Sequence, residues 1–225
     1  VTQDSDDHFR GRCVDTAEAF LDEFDSLSLY QYLWAEPAYY GELSAATTNQ
    51  VDLAISFGHG SHHHFDTGAG NVILSGTAFG NFRPCGGHGD LEYLAFFSCS
   101  TLSLDDSGGD PWRFFWANGE STASMLRPFT GLHMVLGFRT VVESVCFFTC
   151  SDEEMVEAFA ANLDAGDRVI DAWQEAVGDE MGTSRGFNRG AVFYLQIYEG
   201  DTLDSDQDDF IYGSPHYVLV ADYWD

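Results

Sequence analysis

No lysine occurs anywhere in the 225 residues, so nine arginines are the only fixed positive side chains against 24 aspartates and 13 glutamates. The formal net charge is −28 at pH 7. Such a chain offers no basic patch with which to displace counterions from phosphates, which argues against direct nucleic-acid binding. The surplus of Asp over Glu is read as a surface kept soluble by hydrated carboxylates, as in proteins of salty surroundings. Net charge speaks to solubility and association rather than to fold, so the acidity points to a halophilic habitat before it points to a partner.

Long apolar runs are missing too. No stretch of eighteen or more apolar residues is present, so no membrane span is expected. The opening "VTQDSDDHF" has neither the basic start nor the apolar segment of a signal peptide. Two settings fit: a cytoplasmic protein, or a mature form that is extracellular or at the cell surface after removal of a signal peptide, and the second is the expectation. Neither a Pro- or Gly-rich linker nor an internal repeat divides the chain. With 44% apolar and 15% aromatic residues it can bury a real core. Residues 1–225 are therefore expected to form a single domain, with 1–33 as an N-terminal helical extension packed on it.

Periodicity supplies the elements. Val14, Ala17, Phe20, Leu21, Phe24 and Leu27 make a helical stripe with acidic residues on the other face. Val51 to Phe57 and Tyr93 to Phe97 are short apolar runs ended by Gly or Ser, which predicts buried strands, and "LHMVLGFRTVV" predicts a third. Ser151 and Glu154 have capping-box spacing ahead of Met155, Val156, Phe159 and Leu163, and a second stripe follows at Val169, Ile170, Trp173 and Val177. Ala191 to Tyr198 and Tyr217 to Val220 read as two more strands. Apolar strands interleaved with helices predict an α/β layer structure with a mainly parallel sheet.

In such sheets chemistry collects just beyond the carboxyl ends of the strands. Two predicted strand ends carry reactive side chains: His59 after "LAISFG" and Cys99 after "LAFFS". A thiol becomes a nucleophile at neutral pH when a base favours its thiolate, and a histidine on the neighbouring strand supplies one. Glycine on both sides of His59 lets the backbone turn sharply and lets a carbonyl oxygen approach the Gly60 amide. The bland alternative is a small buried cysteine and a polar strand end. The catalytic reading requires imidazole and thiol to meet above adjacent strands, about 3 to 7 Å apart.

"LAISFGHG" followed by "YLAFFSCS" resembles the paired signature of the caspase, gingipain and legumain group of cysteine peptidases. The longer set "VDLAISFGHG", "LAFFSCSTL" and "FTGLHMVLGFRT" is similar to an uncharacterised microbial caspase-like family. The resemblance runs from about Trp34 to about Tyr198. It implies a caspase-like three-layer sandwich, with a mainly parallel central sheet flanked by helices. By the same resemblance His59 corresponds to the catalytic histidine, Cys99 to the nucleophile, and the amides of Gly60 and Cys99 to the oxyanion site. Three histidines crowding the loop after Gly60, and the lack of a recognisable processing site, depart from the better-known peptidases.

Other side chains raise separate expectations. His62 and His64 share a face if their segment is extended, and with His59 or His88 they would make a three-ligand site for zinc or copper, the competing reading being a solvated polar loop. Asp204, Asp206, Asp208 and Asp209 alternate like calcium ligands but lack the Gly and Glu of an EF-hand loop. Trp112, Phe114, Phe115 and Trp116 are read as core or as a wall of a peptide cleft. Five cysteines leave one thiol over. Cys99 is the candidate for it, with Cys146–Cys150 and Cys13–Cys85 as the candidate bridges and reduced thiols as the alternative.

The expected function is thus a cysteine endopeptidase that cleaves peptide or protein substrates with a His59/Cys99 dyad, requires no cofactor, and does not engage nucleic acid or membrane. The competing reading is a catalytically inactive protein of the same fold, acting as an extracellular binding or self-assembling subunit in a homo-oligomer or filament. The charge makes its own prediction. Repulsion among carboxylates falls as the Debye length shrinks from about 30 Å at 0.01 M salt to about 3 Å at 1 M. The melting temperature should climb across that range of sodium chloride at constant pH; a flat or falling midpoint would remove the halophilic reading.

Overall fold

The computed structural model describes residues 7–23, 52–58, 60–61, 64–67, 70–73, 92–102, 133–139, 151–181, 190–195, 199–205 and 219–223. Five of its strands form one sheet: β1 (Leu53–Phe57), β5 (Tyr93–Phe97), β6 (Met134–Phe138), β7 (Gly190–Leu195) and β8 (Leu219–Tyr223), in the order β1-β5-β6-β7-β8. β1, β5 and β6 pair in parallel, whereas β7 is antiparallel to both of its neighbours, so β8 again runs with the first three. Four of the five strands therefore share one direction, and the expected α/β character and mainly parallel sheet are both present.

Period-2 alternation sorts the side chains between two faces. Phe57 lies opposite Phe97 in the β1–β5 register, with ring centroids 5.0 Å apart, so both point to the same side. Phe138 meets Phe97 there at 6.2 Å. Leu94, Phe96 and Val135 point to the other side and are just as buried, 0–1% exposed. Covered faces on both sides explain why β5 and β6 read as unbroken apolar runs rather than as alternation.

Three helices are described: α1 (Asp7–Glu23), α2 (Ser151–Asp164) and α3 (Val169–Met181). Trp173 of α3 is fully buried on the Phe97 face. Its ring stands 5.0 Å from Phe97, 5.4 Å from Phe138 and 5.2 Å from Phe159 of α2. Phe159 in turn meets Phe20 of α1 at 6.1 Å. One aromatic chain therefore runs from the sheet through α3 and α2 to α1, and truncating its centre would cost about 3–5 kcal/mol. The N-terminal helix packs on α2, as the apolar stripe at Ala17, Phe20 and Leu21 requires.

Sequence-based boundaries agree closely where runs are long and apolar. β5 has the expected limits, α2 begins at Ser151, and α3 begins at Val169. α1 starts seven residues before the apolar stripe does. A second sheet was not anticipated: β2 (Gly60–Ser61), β3 (His64–Thr67) and β4 (Gly70–Ile73) form an antiparallel unit directly after His59. Their short, Gly-interrupted stretches present no periodicity long enough to read.

α2 ends in a Schellman motif. Gly166 has φ +84°, the Gly166 amide donates to the Leu163 carbonyl at 3.0 Å, and the Asp167 amide donates to the Asn162 carbonyl at 3.1 Å. A methyl at Gly166 would touch nothing within 4 Å, so only backbone strain opposes a side chain there. Gly166→Ala should therefore destabilise by about 1 kcal/mol, lowering the melting temperature by about 2–4 °C. An unchanged midpoint in a thermal melt would show that the left-handed turn costs nothing at this position.

Candidate functional site

The carboxyl ends of β1 and β5 lie side by side. Phe57 pairs with Phe97, and the Gly58 amide extends the ladder by donating to the Phe97 carbonyl at 3.3 Å. Beyond this point β5 gives way to the turn Ser98–Cys99–Ser100–Thr101–Leu102. Ser100 takes a left-handed φ of 51°, and the Leu102 amide donates to the Phe138 carbonyl at 3.0 Å, pinning the turn across the end of β6. Cys99 sits in this turn, half-buried and without a disulfide, as expected for the odd thiol.

Two glycines receive the turn. A methyl built on Gly60 would lie 2.9 Å from Ser98 Oγ, 2.9 Å from Thr101 Cγ2 and 3.0 Å from the Cys99 carbonyl oxygen. A methyl on Gly137 of β6 would lie 3.0 Å from both Leu102 Cγ and Thr101 Oγ1. The Cys99 turn is thus wedged between the residue that follows His59 and the end of β6. His59 itself lies outside the described residues, but its chain neighbours Gly58 and Gly60 both touch the end of β5. Register adds a detail about Gly60. Ser61 pairs with His64 across two residues, and in such a hairpin the closing pair is the hydrogen-bonded one, which leaves Gly60, opposite Phe65, with its backbone groups turned away from β3.

A second polar cluster occupies the opposite, amino end of the sheet. His133 Nδ1 lies 2.7 Å from Asp201 Oδ2, and the Tyr93 hydroxyl donates to the Thr202 carbonyl at 3.0 Å, with Asp201 Oδ2 at 3.4 Å. His133 is 4% exposed. Burial, and then the negative charge of Asp201, push the Tyr93 phenol well above its ordinary range. The Asp201 carbonyl also accepts the Val169 amide at the start of α3. The cluster fastens residues 199–205 to the sheet, and at about 3.3 Å per residue it stands roughly 20 Å from Cys99, too far to join any dyad there. Sequence reading missed it: Asp201 lies 68 positions from His133, and no spacing rule connects them.

The metal expectation falls mostly on residues outside the described ones. Gly60 and Ser61 pair antiparallel with Phe65 and His64, so the chain reverses direction between Ser61 and His64. Among the described residues no group of three or more His, Cys, Asp or Glu side chains is disposed to hold a metal ion. His62, His88, Cys85, Cys146, Cys150, the aromatic cluster at 112–116 and Asp206 to Asp209 lie outside the described residues, as does the side chain of Cys13. An open cleft of about 470 Å³ between α1 and α2 is lined by Glu23, Glu154, Glu157, Ala158 and Ala161, with neither a thiol nor an imidazole among them. No described helix is long and apolar enough to cross a membrane.

Comparison with protein families places the chain. Residues 34–215 match the model of a domain of unknown function, DUF6345, and the chain belongs to that family. Comparison with curated proteins gave no match.

The fit of Gly60 is open to measurement. Its missing side chain is a steric requirement, since two of the three contacts belong to the turn's backbone and to a fully buried Thr101. Gly60→Ala should destabilise by about 1–3 kcal/mol through overpacking, read as a lower urea midpoint with unchanged slope. A midpoint equal to that of the parent would mean that Gly60 and the Cys99 turn are not in contact.

Proposed function

We propose that this protein is a cysteine endopeptidase of caspase-like fold, with His59 and Cys99 as its dyad. The observation that supports it best is the contact of Gly60 with the Cys99 turn at the ends of two parallel, neighbouring strands. It brings the residue after His59 against the turn that presents an unbridged thiol. The burial of both faces of β5 and β6 agrees with a three-layer arrangement.

In this reading the Cys99 thiolate adds to a peptide carbonyl carbon, and the carbonyl electron pair moves to oxygen. The Gly60 and Cys99 amides meet that oxyanion. Collapse of the intermediate expels the amine, which takes its proton from the His59 imidazolium and leaves a thioester on Cys99. Water activated by His59 then hydrolyses the thioester and restores the thiol. Every step uses groups of the chain, the substrate and one water molecule, so this mechanism calls for no metal.

The direct test is competitive alkylation of the reduced protein with iodoacetamide at pH 7. An ordinary cysteine is only a few per cent thiolate at that pH, so an activated one should react roughly ten-fold faster. Cys99 is expected to be modified at least that much faster than Cys13, Cys85, Cys146 and Cys150 after denaturant-free labelling and peptide mapping, and His59→Ala should abolish the difference. Equal rates at exposed cysteines, or a Cys99 rate indifferent to His59→Ala, would reject the dyad.

A further inference from the structure

Resting on the peptidase reading, we propose that Ser98 is a positioning residue, whose hydroxyl fixes the Gly60 main chain in the orientation its amide needs to meet the oxyanion. Ser98 is 3% exposed, and its Oγ has no hydrogen-bond partner among the described residues. A hydroxyl buried without a partner is costly, and alanine would fill the same place without that cost. Oγ stands 2.9 Å from where a Gly60 methyl would be, which places the hydroxyl beside the Gly60 main chain. Gly60 in turn belongs to a hairpin pair whose backbone groups are not held by β3, which leaves the rotation of its peptide to be set from the Cys99 side. When negative charge develops on the substrate oxygen and draws the Gly60 amide toward it, the Ser98 hydroxyl, unbonded until then, is placed to donate to the Gly60 carbonyl oxygen and hold that geometry.

Thr101 is a built-in contrast. Its hydroxyl is likewise buried and without a partner among the described residues, but it lies 3.0 Å from the methyl position of Gly137, while its methyl faces Gly60. Thr101→Val therefore also removes a buried hydroxyl from this turn, replacing it with a methyl, and does so on the side away from Gly60.

Two probes separate positioning of the oxyanion amide from simple integrity of the site. With a peptide aldehyde, the Cys99 sulfur bonds to the aldehyde carbon, the carbonyl π bond opens, and the oxygen takes the electron pair and then the proton released from the thiol. With iodoacetamide, sulfur displaces iodide at a methylene carbon and no oxygen gains charge. The experiment measures inhibition by a panel of N-acetyl dipeptide aldehydes, the iodoacetamide rate at Cys99, and the melting temperature, for the parent protein, Ser98→Ala and Thr101→Val. Ser98→Ala is expected to weaken the best aldehyde about ten-fold, as loss of oxyanion organisation does, to leave the alkylation rate within about two-fold, and to melt no lower than the parent. Thr101→Val should leave aldehyde affinity and alkylation as they are. Aldehyde affinity unchanged in Ser98→Ala, or a parallel fall in affinity and alkylation, overturns the role of Ser98 while leaving the dyad intact. A parent protein that binds no aldehyde in the panel, and whose Cys99 alkylates no faster than its other cysteines, overturns the peptidase reading itself.

Discussion

The parallel pairing of β1 with β5 is the constraint on which the site depends. It is a register as much as a contact: Phe57 opposite Phe97 places the two strand ends level, and the next residues on each chain are then forced to meet. A slip of one residue would turn Phe57 to the opposite face, take it out of the stack with Phe97, and lift Gly60 off the Cys99 turn. The register is held from below by packing rather than by the reactive groups. Phe97 is stacked on Phe57 and pressed by Trp173, so the aromatic chain that joins sheet to helices also fixes where β5 ends. Stability and geometry at the strand ends thus share one cause.

The two ends of the sheet handle polarity differently. At the amino end Tyr93, His133 and Asp201 satisfy one another and the backbone of Thr202, and the result is a closed clasp. Removing one partner of such a nearly buried pair leaves the other uncompensated, which is the expensive way to lose it. At the carboxyl end the hydroxyls of Ser98 and Thr101 are buried without partners, and Ser100 takes a backbone conformation that L side chains seldom adopt. Backbone strain and two of the buried polar atoms without a hydrogen-bond partner thus fall within one turn, that of Cys99.

What could be read from the sequence, and what could not, divides by range. β5, α2 and α3 were legible because burial on both faces gives an unbroken apolar run and burial on one gives a 3.6-residue stripe; both are local signals. The turn that carries Cys99 was legible as a strand end for the same reason. The β2–β4 sheet was not, because strands of two and four residues carry too few alternations to register and the run of histidines invited a continuous extended path. The His133–Asp201 clasp was not, because it is made by the topology, which brings the start of β6 to a turn after β7. The role of Gly60 was half legible. Sequence suggested a glycine that lets a substrate approach, whereas the structure adds a tighter requirement, that the Cys99 turn itself occupies the space a side chain would take.

The acidity of the molecule bears on the same turn. Deprotonating a thiol inside a chain of net charge −28 adds one more negative charge to a field that already opposes it. The general charge therefore cannot activate Cys99; activation has to come from groups close enough to outweigh the field, and the field at such distances is only partly screened by salt. Two positions adjoin, along the chain, residues that meet the Cys99 turn. His59 comes immediately before Gly60, which touches the turn, and Arg139 comes immediately after Phe138, whose carbonyl holds the Leu102 amide. Arg139 is half-buried, and of the two arginines with described side chains it is the one at this end of the sheet, Arg168 being committed to Asp171 at the start of α3. In a protein with nine cations to set against 37 anions, a thiolate at Cys99 would require neighbouring groups that make its surroundings less negative than the surface at large.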